Sequence, residues 1–170
     1  AERQICEAFE IGIVNGHSKT SFDPQAHITR VEFAAMLLRT LGMDSGSSGE
    51  EIRFNDQDQV PSWATETVSV AVGNGVLEGY PDGTLRPLQH VNRAEMVAMI
   101  AKAMKWETEH GKTRFADDAE IPDWVRGYVH AAEKRNVVNG REDNRFSPMD
   151  PATRAEAAVL LLRLWYMENQ

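Results

Sequence analysis

The sequence predicts a mainly α-helical fold: a pseudo-threefold assembly of helix–loop–helix repeats around a central three-helix bundle, with short extended segments in the loops. Three observations carry that expectation. A tetrapeptide recurs as Thr29-Arg30-Val31-Glu32, Asn92-Arg93-Ala94-Glu95 and Thr153-Arg154-Ala155-Glu156, its arginines 63 and 61 residues apart. Overlaying the chain at those spacings also aligns Gly16, Gly79 and Gly140, then Phe22, Leu85 and Phe146, then Pro24, Pro87 and Pro148. Each tetrapeptide opens a run that is apolar over most of a helix circumference, as in Ala157-Ala158-Val159-Leu160-Leu161-Leu162. Self-similarity at a fixed period means one structural unit used several times.

The first element of the unit is an amphipathic helix. Val68, Ala71, Val72 and Val76 follow helical spacing, and Ile5, Ala8, Phe9 and Ile13 echo them. Val129, Ala132 and Val137 hold the same places in the third copy, where Glu133 interrupts the stripe. The spacing predicts an end near Gly79, since glycine tolerates the left-handed conformation that terminates helices. Tyr80-Pro81-Asp82-Gly83-Thr84-Leu85-Arg86-Pro87 then reads as a turn and a short extended piece, with Leu85 plugging the space between helices.

The second helix opens on a capping box, in which Thr29 pairs with Glu32, Asn92 with Glu95 and Thr153 with Glu156. A helix that is hydrophobic nearly all round belongs in a core. Three such helices therefore form the expected bundle, with the first helices packed outside it.

The repeats divide the chain at 1–46, 47–108 and 109–170, together one compact domain. Gly42 to Glu51 and Glu107 to Lys112 are the connections. Phe54-Asn55-Asp56 matches Phe115-Ala116-Asp117, and Pro61-Ser62-Trp63 matches Pro122-Asp123-Trp124. Each Trp precedes its aligned Gly by 16 residues, and the same count from Gly16 falls before Ala1. The first unit is thus expected to lack its N-terminal half, and the chain reads as a fragment. Arg93 and Arg154 are expected to have more complete surroundings than Arg30.

A capping box does not explain its arginine. A cation in the first helical turn opposes the macrodipole by roughly 0.3–1 kcal/mol. Its recurrence suggests that Arg30, Arg93 and Arg154 each meet something negative.

Composition narrows the function. A net charge of −8 argues against nucleic acid, whose binding rests on neutralising phosphates, and against adhesion to anionic membranes. No apolar run reaches the roughly 20 residues that span a bilayer, so membrane insertion is not expected. The lone Cys6 shares a column with Ser69 and His130 and has no expected task. His17, His27, His90, His110 and His130 lack metal-ligand spacing, and the acidic stretches Asn55-Asp56-Gln57-Asp58 and Glu142-Asp143-Asn144 lack the EF-hand pattern. These stretches read as solvated loops; no metal and no cofactor is expected. Nor is there a nucleophile–base arrangement, so the chain is expected not to be an enzyme.

In the order of these motifs the chain resembles the S-layer homology (SLH) domains of bacterial cell surfaces. The likeness rests on Trp63-Ala64, on Gly79-Tyr80-Pro81-Asp82-Gly83-Thr84-Leu85-Arg86-Pro87, and on Ile28-Thr29-Arg30-Val31-Glu32-Phe33 with its two later copies. Val31 for Ala, Asn92 for Thr and Val125 for the Ala after Trp124 depart from the family pattern. The resemblance implies a noncatalytic, extracellular anchor in the cell wall or S-layer. Its partner would be an acidic, pyruvylated secondary cell-wall polysaccharide held in grooves between repeats. Arg30, Arg93 and Arg154 would face the acidic sugar, and Trp63 and Trp124 could offer flat apolar surfaces to sugar rings. Helix N-termini and guanidinium forks both suit a carboxylate.

Other readings stand beside this one. The arginines could pair with acidic residues of a neighbouring repeat, and the tryptophans could be core wedges. Trp106 and Trp165 read as packing residues. The module could instead hold a peptide or a neighbouring surface-layer subunit, and hydrolysis of wall polymers is a distant third.

Overall fold

A computed structural model describes residues 2–14, 22–43 and 53–169. It is mainly α-helical. Among the described residues the helices are α1 (Glu2–Glu10), α2 (Arg30–Thr40), α3 (Thr65–Gly73), α4 (Arg93–Ala103), α5 (Asp123–Lys134) and α6 (Arg154–Glu168). Gly16 and most of the Gly42–Glu51 connection lie outside the described residues.

All three capping boxes form. The side chains of Thr29, Asn92 and Thr153 accept from the backbone N–H of Glu32, Glu95 and Glu156, whose carboxylates accept in return from the cap N–H groups. Each cap contributes about 1 kcal/mol. The helices they open are largely buried: Phe33, Leu37, Leu38, Met96, Ile100 and Leu161 are almost wholly removed from solvent. Burying such a side chain contributes about 1.5–3 kcal/mol.

The outer helices pack one unit out of step. α3 lies against α2, α5 against α4, and α1 against α6. The first helix of each repeat therefore covers the second helix of the repeat before it, and α1 on α6 brings the first repeat against the last.

The segments just before the capping boxes are joined in a cycle. The backbone N–H of Val91 donates to Ile28 O (3.0 Å), that of Ile28 to Ala152 O (3.1 Å) and that of Ala152 to Val91 O (2.9 Å). Single β-bridges pair Thr29 with His90, Asn92 with Pro151 and His27 with Thr153. Each repeat gives and takes one set of bonds, so the cycle closes.

The first helices end earlier than the glycine column suggests. α3 stops at Gly73, and the left-handed residue is Gly75 (φ +67°), matched by Gly12 (+80°) and Asn136 (+56°). Gly75 N–H donates to Val72 O and Val76 N–H to Ala71 O, which takes up the helix's last carbonyls. Gly79 serves a different purpose: a Cβ there would sit 2.4 Å from the Phe54 ring. At Gly140 it would meet backbone atoms of Asn144 at 2.9 Å. These glycines admit a close approach.

Leu85 and Phe146 are fully buried and plug the loops as expected. The residues after them, Arg86 and Ser147, take left-handed φ near +50°. A buried carboxylate holds each bend. Asp56 accepts from the N–H groups of Leu85 (2.7 Å) and Arg86 (2.8 Å), and Asp117 from those of Phe146 (2.6 Å) and Ser147 (2.7 Å). The expectation that Asn55-Asp56-Gln57-Asp58 is simply solvated is therefore corrected at Asp56. Glu133, which breaks the apolar stripe of α5, is also buried and accepts from Arg114 N–H at 3.0 Å.

Candidate ligand-binding grooves

The motif arginines are almost completely buried, with Arg30, Arg93 and Arg154 at 5, 4 and 7 % exposure. Their guanidinium groups cross from one repeat to the next. Arg30 donates through Nε to Leu85 O (3.2 Å), through Nη2 to Glu78 O (2.9 Å) and through Nη1 to Glu95 Oε1 (3.1 Å). Arg93 repeats this one unit later, donating to Phe146 O (2.6 Å), Asn139 O (3.2 Å) and Glu156 Oε1 (3.1 Å). Arg154 donates through Nε to Phe22 O at 2.9 Å and lies over the Phe22 ring. The negative partners of the first two arginines are thus loop carbonyls and the capping glutamate of the next repeat. Glu95 and Glu156 each cap their own helix and receive the preceding repeat's arginine.

Arg30 and Arg93 each line an open groove, and the two grooves match at the aligned arginine, loop and second-helix positions. Groove A, about 160 Å³, is bounded by Arg30, Glu78, Tyr80, Glu95, Lys102 and Trp124. Groove B, about 500 Å³, is bounded at the aligned positions by Arg93, Asn139, Arg141, Glu156 and Arg163, with Gln4 of α1 on the far side. Each groove draws on three repeats: the arginine from one, the loop and glutamate from the next, and the far wall from the third.

That construction changes what sequence order suggests about completeness. Trp124, in the third repeat, serves the groove of Arg30. Arg30, expected from sequence order to have the less complete surroundings, thus has a tryptophan at its groove. The positions of the first repeat that align with Glu78 and Tyr80 are Asn15 and His17, which lie outside the described residues. Trp63 and Trp124 are 58 and 57 % exposed, so neither is a core wedge. Trp106 and Trp165 are partly buried against the core, and Arg135 lies over the Trp106 ring at 4.9 Å.

Electrostatically the grooves differ. In groove A, Tyr80 donates its hydroxyl to Glu95 and is flanked by Arg30 (4.7 Å) and Arg86 (4.0 Å). Burial, then the bond to Glu95, pushes the Tyr80 phenol up to about 12. Lys102 pairs with Glu78 at 2.5 Å. In groove B the tyrosine is replaced by Arg141, which grips Glu156 through two nitrogens (2.7 and 3.0 Å) and Asp150 through the third (2.5 Å). Burial disfavours the Glu156 carboxylate, but bonds from Arg141 and Thr153 N–H and the charge of Arg93 outweigh it and hold the carboxyl below its ordinary value. Burial also lowers Arg93, against the pull of Glu156.

Arg141, Asn139 and Arg163 were not singled out by sequence reasoning. One signal was available: Arg39, Lys102 and Arg163 each follow their motif arginine by 9 residues, a column of cations one face along the same helix.

Among the described residues no His/Cys/Asp/Glu group is arranged to hold a metal ion. His27 and His90 lie with ring centroids 5.3 Å apart, and the aligned third residue is Pro151. No described helix is long and apolar enough to cross a membrane.

The S-layer homology domain family matches the chain at residues 2–34, 53–97 and 114–158, three tandem segments that include every motif arginine. The chain belongs to the S-layer homology family. Similar proteins include an amylopullulanase of Thermoanaerobacterium thermosulfurigenes, 38 % identical over 89 % of this chain but only 8 % of the relative. The middle cell wall protein of Brevibacillus brevis is 31 % identical over 99 % of this chain and 15 % of its own length. The surface-layer 125 kDa protein of Lysinibacillus sphaericus is 25 % identical over 96 % of this chain and 14 % of its own length. The SLH chain thus spans a small part of each, a part shared by proteins named as an enzyme, a cell wall protein and a surface-layer protein. SLH membership and these relatives place the module at the cell surface, associated with the wall.

Proposed function

We propose that this SLH module is a noncatalytic anchor that binds an acidic, pyruvylated secondary cell-wall polysaccharide in the grooves between its repeats. The observation that carries the reading is the recurrence of one groove at successive repeat junctions, each lined by a buried arginine and polar side chains. Repetition of a site suits a polymer with a repeating unit; a single catalytic centre has no use for it. The closed cycle of bonds through Ile28, Val91 and Ala152 supports treating residues 1–46, 47–108 and 109–170 as three repeats of one pseudo-threefold domain around α2, α4 and α6.

In this reading Arg30, Arg93 and Arg154 set the shape and positive potential of the grooves, and exposed Trp124 and Trp63 stack against sugar faces. Cosedimentation with deproteinated cell-wall sacculi is the test. The module should pellet with intact walls and stay in solution with walls stripped of their acidic polymer. Retention on stripped walls would reassign the ligand to peptidoglycan. Trp124→Ala should weaken pelleting while leaving thermal stability unchanged, because the ring is exposed.

A further inference from the structure

The two grooves align at these positions, yet their charge balance differs. In groove A the cations Arg30 and Lys102 face the carboxylates Glu95 and Glu78, and every charge is matched within 3.1 Å. In groove B, Asn139 replaces Glu78 and Arg141 replaces Tyr80. Three guanidinium groups, Arg93, Arg141 and Arg163, then meet two carboxylates, Glu156 and Asp150, both gripped by Arg141. Among the described residues one cation is left over.

That cation is Arg163, the counterpart of Lys102. Its neighbour is Asn139, whose amide, turned with its oxygen inward, accepts from Nη1 and Nη2 at 3.3 Å each. An amide oxygen satisfies hydrogen bonds and neutralises nothing. The guanidinium is half-buried, and that burial disfavours its charge with no carboxylate in opposition. A chain with net charge −8 thus carries a local excess of positive charge in groove B. A partly desolvated guanidinium that faces open space can form a two-pronged, charge-assisted contact with a planar anion.

We propose that Arg163 and Asn139 form an anion subsite in groove B that receives the carboxylate of an acidic sugar, and that groove A lacks it because Glu78 occupies the same cation. The subsite rests on the anchor reading and specifies which groove takes the acidic group. Arg93 is then a positioning residue, committed to Phe146 O, Asn139 O and Glu156, and Arg163 makes the contact. Asn139 joins the two roles, since its backbone carbonyl holds Arg93 and its side chain holds Arg163.

The probe is a methyl hexoside bearing a 4,6-linked pyruvate ketal, with the unsubstituted methyl hexoside as its neutral control, titrated calorimetrically into the whole chain. Arg163→Gln should weaken ketal binding about tenfold or more, the loss of one charge-assisted contact. Asn139→Glu, which recreates the Glu78 arrangement, should weaken it as much with the fold intact by circular dichroism. Lys102→Gln should leave it unchanged, and Arg163→Lys should restore part of it. Equal loss in Lys102→Gln, or full binding in Arg163→Gln, overturns the subsite. Cosedimentation with acidic walls separates the two failures. If the unaltered chain does not pellet, the anchor reading falls and the subsite with it. If it pellets and Arg163→Gln pellets equally well, the subsite alone falls.

Discussion

Grooves A and B are built from aligned residues on one scaffold, yet A is balanced in charge and B carries an extra cation. In groove A a tyrosine and a lysine–glutamate pair close the site: Tyr80 bonds Glu95, and Lys102 bonds Glu78. In groove B an arginine takes the tyrosine's place and an asparagine that of the glutamate, and the cavity is about 500 Å³ against about 160 Å³. The arginine that defines the sequence motif is the same in both and does the same work in both. Repetition therefore preserves the strut, and the two loop positions decide what the groove can hold.

Removing the strut should have the largest effect and should not distinguish the grooves. Arg30→Ala and Arg93→Ala each remove a buried guanidinium and leave two loop carbonyls without their donor and a partly buried carboxylate with one donor fewer, at a cost of about 2–4 kcal/mol. Urea denaturation measures it. A cost under about 1 kcal/mol with lost wall binding would return these arginines to the ligand.

The glycine at each rim comes next. Gly140→Ala drives a methyl into backbone atoms of Asn144, and Gly79→Ala drives one into the more yielding Phe54 side chain. Both fall in the overpacking range of about 1–3 kcal/mol, with groove B the more sensitive. Equal melting temperatures for the two variants would remove that distinction.

Glu156 of groove B should contribute to the acid limb of stability. Glu156 has a folded-state pKa below its ordinary 4.5. A depressed carboxyl contributes stability that is present above the unfolded value and is lost as pH falls through the folded one. Stability should fall below about pH 4.5, and Glu156→Gln should flatten that part of the profile, as followed by thermal melts from pH 3 to pH 6. An unchanged acid limb would show that Arg93 and Arg141 do not stabilise the ionised form.

The smallest effect on stability is at Glu78, an exposed partner of Lys102. Glu78→Gln should change stability by less than about 1 kcal/mol. It should nonetheless give groove A an anion affinity it otherwise lacks, read with the same ketal hexoside. If it gives none, groove volume matters more than charge.

Much of the fold was legible in the chain. Capping boxes and apolar runs are local: Thr29, Asn92 and Thr153 cap because a side-chain oxygen three residues ahead of a glutamate reaches the first free N–H groups whatever surrounds it. The buried plug residues Leu85 and Phe146 were readable from the repeat, whereas only the exposure of Trp63 and Trp124 excludes a role as core wedges. The helix ends were less readable. Both Gly75 and Gly79 permit termination, and only the packing of Phe54 shows that Gly79 is there for close approach.

The candidate site divides in the same way. Sequence by itself determined that three equivalent arginines open three equivalent helices, because a repeat is a statement about position within a unit. Tertiary structure decided what those arginines touch and from which repeats each groove is assembled. Arg30 meets Glu95 65 residues away, and Trp124 reaches a groove that begins in the first repeat. Those partners are set by the offset packing of α3 on α2, α5 on α4 and α1 on α6 and by the closure through Ile28, Val91 and Ala152. A periodic sequence specifies the unit; which unit faces which is fixed only when the chain closes on itself.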